Sequence, residues 1–350
     1  MNSENVTIVS PAQVDSVALD SFMRTAYSSA KTDFLRDHGH WRHHGQENRF
    51  VLLKDGQLAG YSAIIPEPLH LKNRVVSAAW LVDVYVHEDY RGQKLQRFLD
   101  AKVKASSEVL LGFPNHLAAK VHRKHGWGVR DDYFIMMLPL RLTQVSIVRQ
   151  AHGLKGMAMR TAAWLARPLA WMYRYWVAHR KIDGAWIIEE PDADLLAAVF
   201  EKYSDGWITT NRDADFIRWR YLQAPYRSQL TFFGAGSSPQ DLSIIAIVRA
   251  LPRQPSATAR ILDIFGDLRD REALSNVLRL VIRQAARQGA AQVTAMVTNS
   301  DLYSALRANH LVVRLSLRFC WISDDPAIMQ TIAEGNSHWC YADSDADSID

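Results

Sequence analysis

Apolar positions along the chain fall into short strand-like runs separated by segments of helical period, so strands and helices are expected to interleave. The sharpest series spans residues 80–127. WLVDVYV at 80–86 reads as a strand, and the polar turn YRGQKLQ at 90–96 leads into an amphipathic helix through Val103. A second apolar run ends in Gly112, Phe113, Pro114 and Asn115, and a helix carrying Ala118, Val121, His122 and Lys124 closes at Gly126 and Trp127. Upstream, the pattern predicts strands at 7–9, 50–53 and 60–65 and a helix ending near Ala26.

A similar series follows from residue 184, with strand-like runs at 186–188, 230–233 and 243–249 and a helical segment at 193–203. Leu262, Asp263, Ile264 and Phe265 parallel Val82, Asp83, Val84 and Tyr85, and Asn299 opens a helix as Asn115 does. The interval from Asp to Asn is 32 residues in the first series and 36 in the second. This predicts a tandem, diverged duplication of one α/β unit. The copies differ chemically. Asp267, Asp270 and Glu272 follow the second strand, where they would repel a phosphate, and Leu306 stands where the first copy has His122.

Between the copies, residues 133–182 contain no acid but carry Arg141, Arg149, Lys155, Arg160, Arg167, Arg174, Arg180 and Lys181. Arg160, Arg167, Arg174 and Lys181 recur every seven residues on one helical face. Ala162, Leu165, Ala166, Leu169, Tyr173 and Trp176 form the opposite face, and Pro168 divides the segment into two helices. Two readings stay open: packing between the halves, and peripheral contact with an anionic membrane surface, for which Trp164 and Trp171 are suited.

A strand running straight into a basic turn and a helix presents free backbone N–H groups and the positive end of a helix dipole, which suits a pyrophosphate. Arg91, Gly92, Gln93, Lys94, Leu95 and Gln96 form that turn. Together with Asn115, Ala118, Val121, His122, Lys124, Gly126 and Trp127 in the second motif, they make the chain resemble the GNAT superfamily of acyl-CoA-dependent N-acyltransferases. The likeness is to the two-domain bacterial type associated with envelope polysaccharide synthesis. Lys94 and Gln96 stand where that family has loop glycines, and His122 where it has a tyrosine. The resemblance implies an α/β fold of tandem GNAT-like domains, each a mixed β-sheet flanked by helices, joined by a basic helical segment. The expected divisions are an acyl-CoA-binding domain at 1–145, the basic aromatic linker at 146–183, a degenerate GNAT-like domain at 184–325 and a tail at 326–350.

The resemblance also implies a site, with acetyl-CoA as acyl donor and no metal. Backbone groups of Val84, Tyr85 and Val86 would hold the pantetheine arm, and the turn at 91–96 with Asn115 would complete the cofactor contacts. His122 would protonate the departing thiolate; with an ordinary pKa near 6.5, about a quarter of it is protonated at neutral pH. Asp83 and His87, at alternating positions on one strand, are the candidate bases. Asp83 alternatively pairs with a nearby Arg or caps a β-bulge, and Asn115 serves as a helix N-cap.

Composition narrows the setting. The 350 residues, 48% hydrophobic and 22% charged with a net charge of +4, describe an ordinary globular chain long enough for two domains. Cys320 and Cys340 give no disulfide framework, which points to a reducing, cytoplasmic compartment, with the inner membrane face as the peripheral alternative. The N-terminus has no signal-peptide pattern, and no apolar run reaches the roughly 20 residues that span a bilayer. His38, His40, His43 and His44 lack acids or thiols at ligand spacing, so no metal is expected. Trp41, Trp219, Tyr221 and Tyr226 suit either core packing or a surface that stacks sugar rings. The acidic run at 343–350 is expected to be disordered.

The expected function is transfer of an acetyl or other acyl group from CoA to the amino group of a small-molecule or lipid-linked amino-sugar intermediate, with no nucleic-acid partner. The alternatives are a non-catalytic adaptor at the membrane surface and an aminoacyl transferase acting on peptidoglycan precursors.

Overall fold

The computed structural model describes residues 5–72, 74–179, 181–250 and 257–341, of which 146, 147, 174, 177 and 178 are described by backbone alone. Arg180 and the acidic run at 343–350 lie outside the described residues, as does the side chain of Arg174. The first half contains β1 (Val6–Val9), α1 (Ser16–Ala26), α2 (Ser29–Arg42), β2 (Arg49–Lys54), β3 (Gln57–Pro66), β4 (Leu69–Leu71), β5 (Arg74–Val76) and β6 (Ala78–Val86). It continues with α3 (Gln96–Lys104), β7 (Val109–Gly112), α4 (His116–Lys124) and β8 (Gly128–Pro139). Three connecting helices follow: α5 (Ser146–Arg149), α6 (Gly153–Leu165) and α7 (Arg167–His179), with Pro168 in the first turn of α7. The second half contains β9 (Ala185–Ile188), α8 (Ala193–Tyr203), β10 (Ile208–Thr210), α9 (Ala214–Ile217), β11 (Leu230–Ser238), β12 (Asp241–Ala250) and β13 (Thr258–Gly266). It ends with α10 (Arg271–Arg287), β14 (Gln292–Val297), α11 (Ser300–Ala308), β15 (Val312–Ser323) and α12 (Pro326–Glu334).

Twelve strands form one mixed sheet in the order β1-β2-β3-β6-β7-β15-β8-β14-β13-β12-β11-β9. Among the described residues of this sheet, only β6 with β7 and β13 with β14 run parallel. The order reads the same from either end when β1, β2, β3, β6, β7 and β8 are matched with β9, β11, β12, β13, β14 and β15. The halves do not close as separate sheets. β15, from the end of the chain, lies between β7 and β8, while β8 lies between β15 and β14, so each half's last strand is exchanged into the other. A boundary drawn in the sequence at 145 or 184 therefore does not cut the sheet.

Both faces of the sheet are covered, which explains the near-continuous apolar runs. In β12, Leu242, Ile245 and Ile247 join the core beneath α1, α2, α8, α9 and α12. Ile244, Ala246 and Val248 join the opposite core, with Leu274, Val277 and Val281 of α10 and Leu302 of α11. Leu99 and Val103 of α3 seal the same side of the first half with Phe50, Leu52 and Trp127. The expected tail boundary at 326 needs correction: Ile328 and Ile332 of α12 and the following His338, Trp339, Cys340 and Tyr341 are buried. Long apolar side chains here have a core to enter, and burial of each contributes about 1.5–3 kcal/mol.

Candidate active site

The parallel pairing of β6 with β7 ends early, at Trp80 opposite Leu111. Beyond it β6 bends away. Tyr61 faces Tyr85 and Ala63 faces Val82, so Asp83 and Val84 share the place opposite Ser62, and Asp83 takes a left-handed φ of 55°. Such a bulge bends a strand and redirects its side chains. Between the diverging strands opens a cleft of about 420 Å³, whose lining includes Asp83, Val84, Asn115, Ala118, His122 and Leu317. Leu317, and Cys320 beside it, arrive on the exchanged β15. Their sequence neighbours give no sign of that destination.

The remaining candidates lie along the same strand and the turn beyond it rather than in the cleft lining. Arg91 folds back so that its Nε donates to the carbonyl of Val86 at 3.4 Å, and its guanidinium lies over the Tyr85 ring. Gln93 bonds Lys54 of β2 and donates to the carbonyl of Asp89. Gly92 and Lys94 have φ of 81° and 57°, so Lys94 adopts a left-handed backbone where the family resemblance places a glycine. A non-glycine residue there costs about 1–2 kcal/mol. Leu95 is a correction as a contact side chain: it is buried with Leu99 and Val103, leaving only its backbone for a ligand. As N-cap of α3 it supplies no side-chain cap, and no acid stands in the helix's first turn. The positive end of α3, beginning at Gln96, is thus left for an anion.

Asn115 accepts hydrogen bonds from the N–H groups of Leu117 and Ala118 at 3.0 and 2.9 Å, so it is the N-cap of α4 while also lining the cleft. One turn from the end of the same helix, His122 packs on Trp127 with ring centroids 4.4 Å apart. Burial, and then the neighbouring His125, push its pKa below the ordinary value. The expected protonated quarter at neutral pH is therefore too high; His122 is predominantly a neutral imidazole.

Asp83 is reassigned. Its side chain is fully buried and meets Lys31 Nζ at 2.7 Å, His43 Nε2 at 3.1 Å and Arg42 Nε at 3.9 Å. Burial alone would raise its pKa, but Lys31, the His43 bond and Arg42 outweigh burial and hold the carboxyl well below its usual range. A carboxylate so stabilised is a poor base. Burial in turn lowers the pKa of His43 despite the Asp83 bond, so this imidazole is neutral. His87 packs with Phe22, Tyr85 and Tyr90, and its Nδ1 accepts from the Asp89 N–H at 3.4 Å. It lines no part of the cleft.

The second half has a matching buried carboxylate. Asp263 meets Arg212 at 2.7 Å and accepts from Tyr221. Its own opening is filled. His338 Nε2 bonds the carbonyl of Ile264 at 2.6 Å while Nδ1 meets Asn299 at 2.7 Å, and Trp339 N–H donates to Thr298 Oγ1 at 2.8 Å. Ile264 and Asn299 correspond to Val84 and Asn115, so an imidazole from the chain's end occupies the place that is open in the first half. The first N–H groups of α10 are capped by Asp270, with Glu272 adjacent.

The aromatic group is core, not a stacking surface. Trp219, Tyr221 and Tyr226 are buried, and the indole N–H groups of Trp41 and Trp219 each donate to the other's carbonyl at 3.0 and 2.8 Å. Three of the four histidines meet different partners: His38 meets Phe34, His43 meets Asp83 and His44 packs on Trp219. Among the described residues no three side chains form a metal-holding group.

Two further residues escaped sequence reasoning. Lys31 and Glu67 carry no motif, yet Lys31 charges the Asp83 cluster, and buried Glu67 accepts from the indole of cleft-lining Trp80 at 3.2 Å. The strand ending at residue 66 and the buried indole at 80 were the only local signals for Glu67.

Residues 15–130 match the family profile described as an acetyltransferase (GNAT) domain. Among solved structures, the chain is similar to a GCN5-related N-acetyltransferase from Anabaena variabilis ATCC 29413. The identity is 14% and the TM-score 0.58, covering 91% of this chain and 72% of that one. It is similar also to Saccharomyces cerevisiae N-myristoyltransferase with bound myristoyl-CoA and inhibitors, at 12% identity and a TM-score of 0.60, covering 92% and 81%. A third likeness is to a conserved Enterococcus faecalis V583 protein described as a probable N-acyltransferase, at 11% identity and a TM-score of 0.58, covering 96% and 75%. No curated protein matches the chain by sequence. Residues 15–130 thus match a GNAT acetyltransferase domain, within a chain whose large mixed sheet, flanked by helices, has the fold of GNAT-like N-acyltransferases.

Proposed function

We propose that the protein is an acyl-CoA-dependent N-acyltransferase with one acyl-CoA site, in the first half, and that its two halves arose by duplication of one unit. The observation that carries the reading is the splay of β6 from β7, which opens on a cleft lined by Asn115 and His122. Its fit to a CoA thioester rests on three chemical features. The edge of β6 beyond Trp80 has no β7 partner, leaving backbone groups of Val84, Tyr85 and Val86 for an extended pantetheine amide chain. The uncapped start of α3, with Arg91 and Lys94 beside it, suits a pyrophosphate. The second opening is filled by His338 and faced by acids, which disfavours a second site.

In the proposed reaction a neutral amine nitrogen attacks the thioester carbon, and the carbonyl oxygen becomes an oxyanion met by backbone N–H of the bulged strand. One well-placed donor of this kind is worth about 10²–10³ in rate. Neutral His122 accepts the proton from the attacking nitrogen and returns it to sulfur as the C–S bond breaks, so the proton balance closes within the cleft. Asp83 takes no proton in this scheme; it fixes Lys31 and the bulge.

The acceptor we propose is the amino group of a sugar intermediate of polysaccharide or cell-envelope synthesis, a reading that rests on the two-domain resemblance. The test is release of free CoA thiol from acetyl-CoA and longer acyl-CoAs in the presence of amino sugars, aminoacyl acceptors and simple amines. Transfer to an amino sugar, lost in His122→Phe, supports the proposal; no acyl transfer to any amine by protein that binds CoA would contradict it.

A further inference from the structure

We propose that the consecutive helices α6 and α7 form a membrane-docking surface that seats on an anionic lipid bilayer. Among the described residues, 153–179 hold nine of the chain's seventeen exposed large hydrophobic side chains, a concentration that scattered surface residues do not produce. Leu154, Met157 and Trp164, at helical spacing, form one outward stripe on α6, with Leu154 82% and Trp164 61% exposed. On α7, Trp171 and Met172 are each 59% exposed. Leu165 and Leu169, placed by the sequence on the face opposite the cations, are exposed as well.

The two helices are nonetheless anchored. Tyr173 and Trp176 pack against His310, beside Ile282 of α10, and Ala163 is buried against Val145 and Val148. The apolar outer face is therefore held on a firm base rather than folded inward. Packing between the halves accounts for the anchoring side chains and leaves the outer face without a partner.

Charge decides the occupant. No acid occurs between Asp132 and Asp183. Lys155, Arg160 and Arg167 are exposed on these helices, and Arg160 Nη1 donates to the Ala151 carbonyl rather than to a carboxylate. Tryptophan and methionine interleaved with unneutralised cations, along two consecutive helices, match the headgroup boundary of an anionic leaflet, where aromatic rings sit at the interface and cations meet lipid phosphates. Neither helix is long enough or apolar enough to cross the bilayer, so the contact is peripheral.

Flotation of the full chain with vesicles tests this. The expected result is co-flotation with phosphatidylcholine–phosphatidylglycerol vesicles, absent with phosphatidylcholine alone and reversed by high salt. The doubles Arg160→Glu with Arg167→Glu, and Trp164→Ser with Trp171→Ser, should each weaken partitioning by at least about tenfold. Both should keep the thermal midpoint and acyl transfer to a soluble amine, since none of the four side chains belongs to the cleft. Absence of flotation at low salt with either vesicle overturns the proposal. So does equal binding to both vesicles that is indifferent to charge reversal. Self-association that the Trp double abolishes, without vesicle binding, would assign the face to a second copy of the chain and likewise overturn it.

Discussion

Asp83→Asn separates the two roles open to this residue. Asparagine preserves the shape of the side chain and tolerates the left-handed φ of 55° that the bulge needs. The substitution therefore removes a charge and little else. Lys31 at 2.7 Å and Arg42 at 3.9 Å then face each other without their anion, and Arg42 is buried. Breaking a buried ion pair from one side costs about 3–5 kcal/mol. Lys31 retains 13% exposure and can turn toward solvent, which places the expected loss near the lower end, about 3 kcal/mol. A chain of this size scales to a fall in thermal midpoint of about 4 °C. Stability is read by urea unfolding at neutral pH, and turnover at saturating substrates on protein shown to be folded. The expected pair of results is a loss of about 3 kcal/mol with turnover within about threefold of wild type. A loss below about 1 kcal/mol would refute the ion-cluster assignment. A thousandfold fall in turnover of folded protein would restore Asp83 as the base.

Arg91→Glu should weaken CoA binding at least about tenfold in a calorimetric titration, because it places an anion beside the α3 N-terminus. His122→Phe should lower turnover about a hundredfold while leaving CoA affinity unchanged, whereas His122→Tyr, which restores the family's phenol, should retain measurable activity. Because the pKa of His122 is lowered and the neutral ring accepts the proton, turnover should rise through a midpoint below 6.5 and stay flat across neutral pH; turnover that falls across that range as His122 deprotonates would show it working as a protonated acid. Acid stability follows the buried groups. His43, with a lowered pKa, favours the unfolded state as pH falls below about 6.5, and the Asp83 and Asp263 contributions, present above the unfolded carboxyl range near 4, are lost as pH falls through their lower folded values. Urea midpoints between pH 7 and 5 should therefore decline, and His43→Gln should lessen the slope.

Much of the sheet was legible because its strands are buried on both faces and read as apolar runs. The run at 50–53 lies inside β2, that at 60–65 inside β3, and 243–249 inside β12. The turn and helix after β6 were legible for a local reason as well: Gly92, the basic residues and the amphipathic spacing all act within a few positions. The exchange of β8 and β15 was not, because strand pattern reports which face is buried and not which neighbour covers the edge. That exchange brings Leu317 and Cys320 to the cleft. For Asp83 the sequence offered an ion pair or a bulge as the alternative to a base, but not the partners. Its partners, Lys31 and Arg42 on α2 and His43 just past its end, lie some 40 residues or more upstream, and only the fold brings them together. The closing of the second opening by His338 depends on a segment that the sequence reading assigned to a C-terminal tail.

Calorimetric titration of the purified chain with acetyl-CoA tests the central claim most directly, since every catalytic assignment depends on one CoA site in the first half. The account predicts one site per chain, with a dissociation constant on the order of 10 μM, equivalent to about −7 kcal/mol, and loss of that site in Arg91→Glu. Two equivalent sites per chain, or heat that is unchanged by Arg91→Glu, or no binding at millimolar acetyl-CoA, would contradict it.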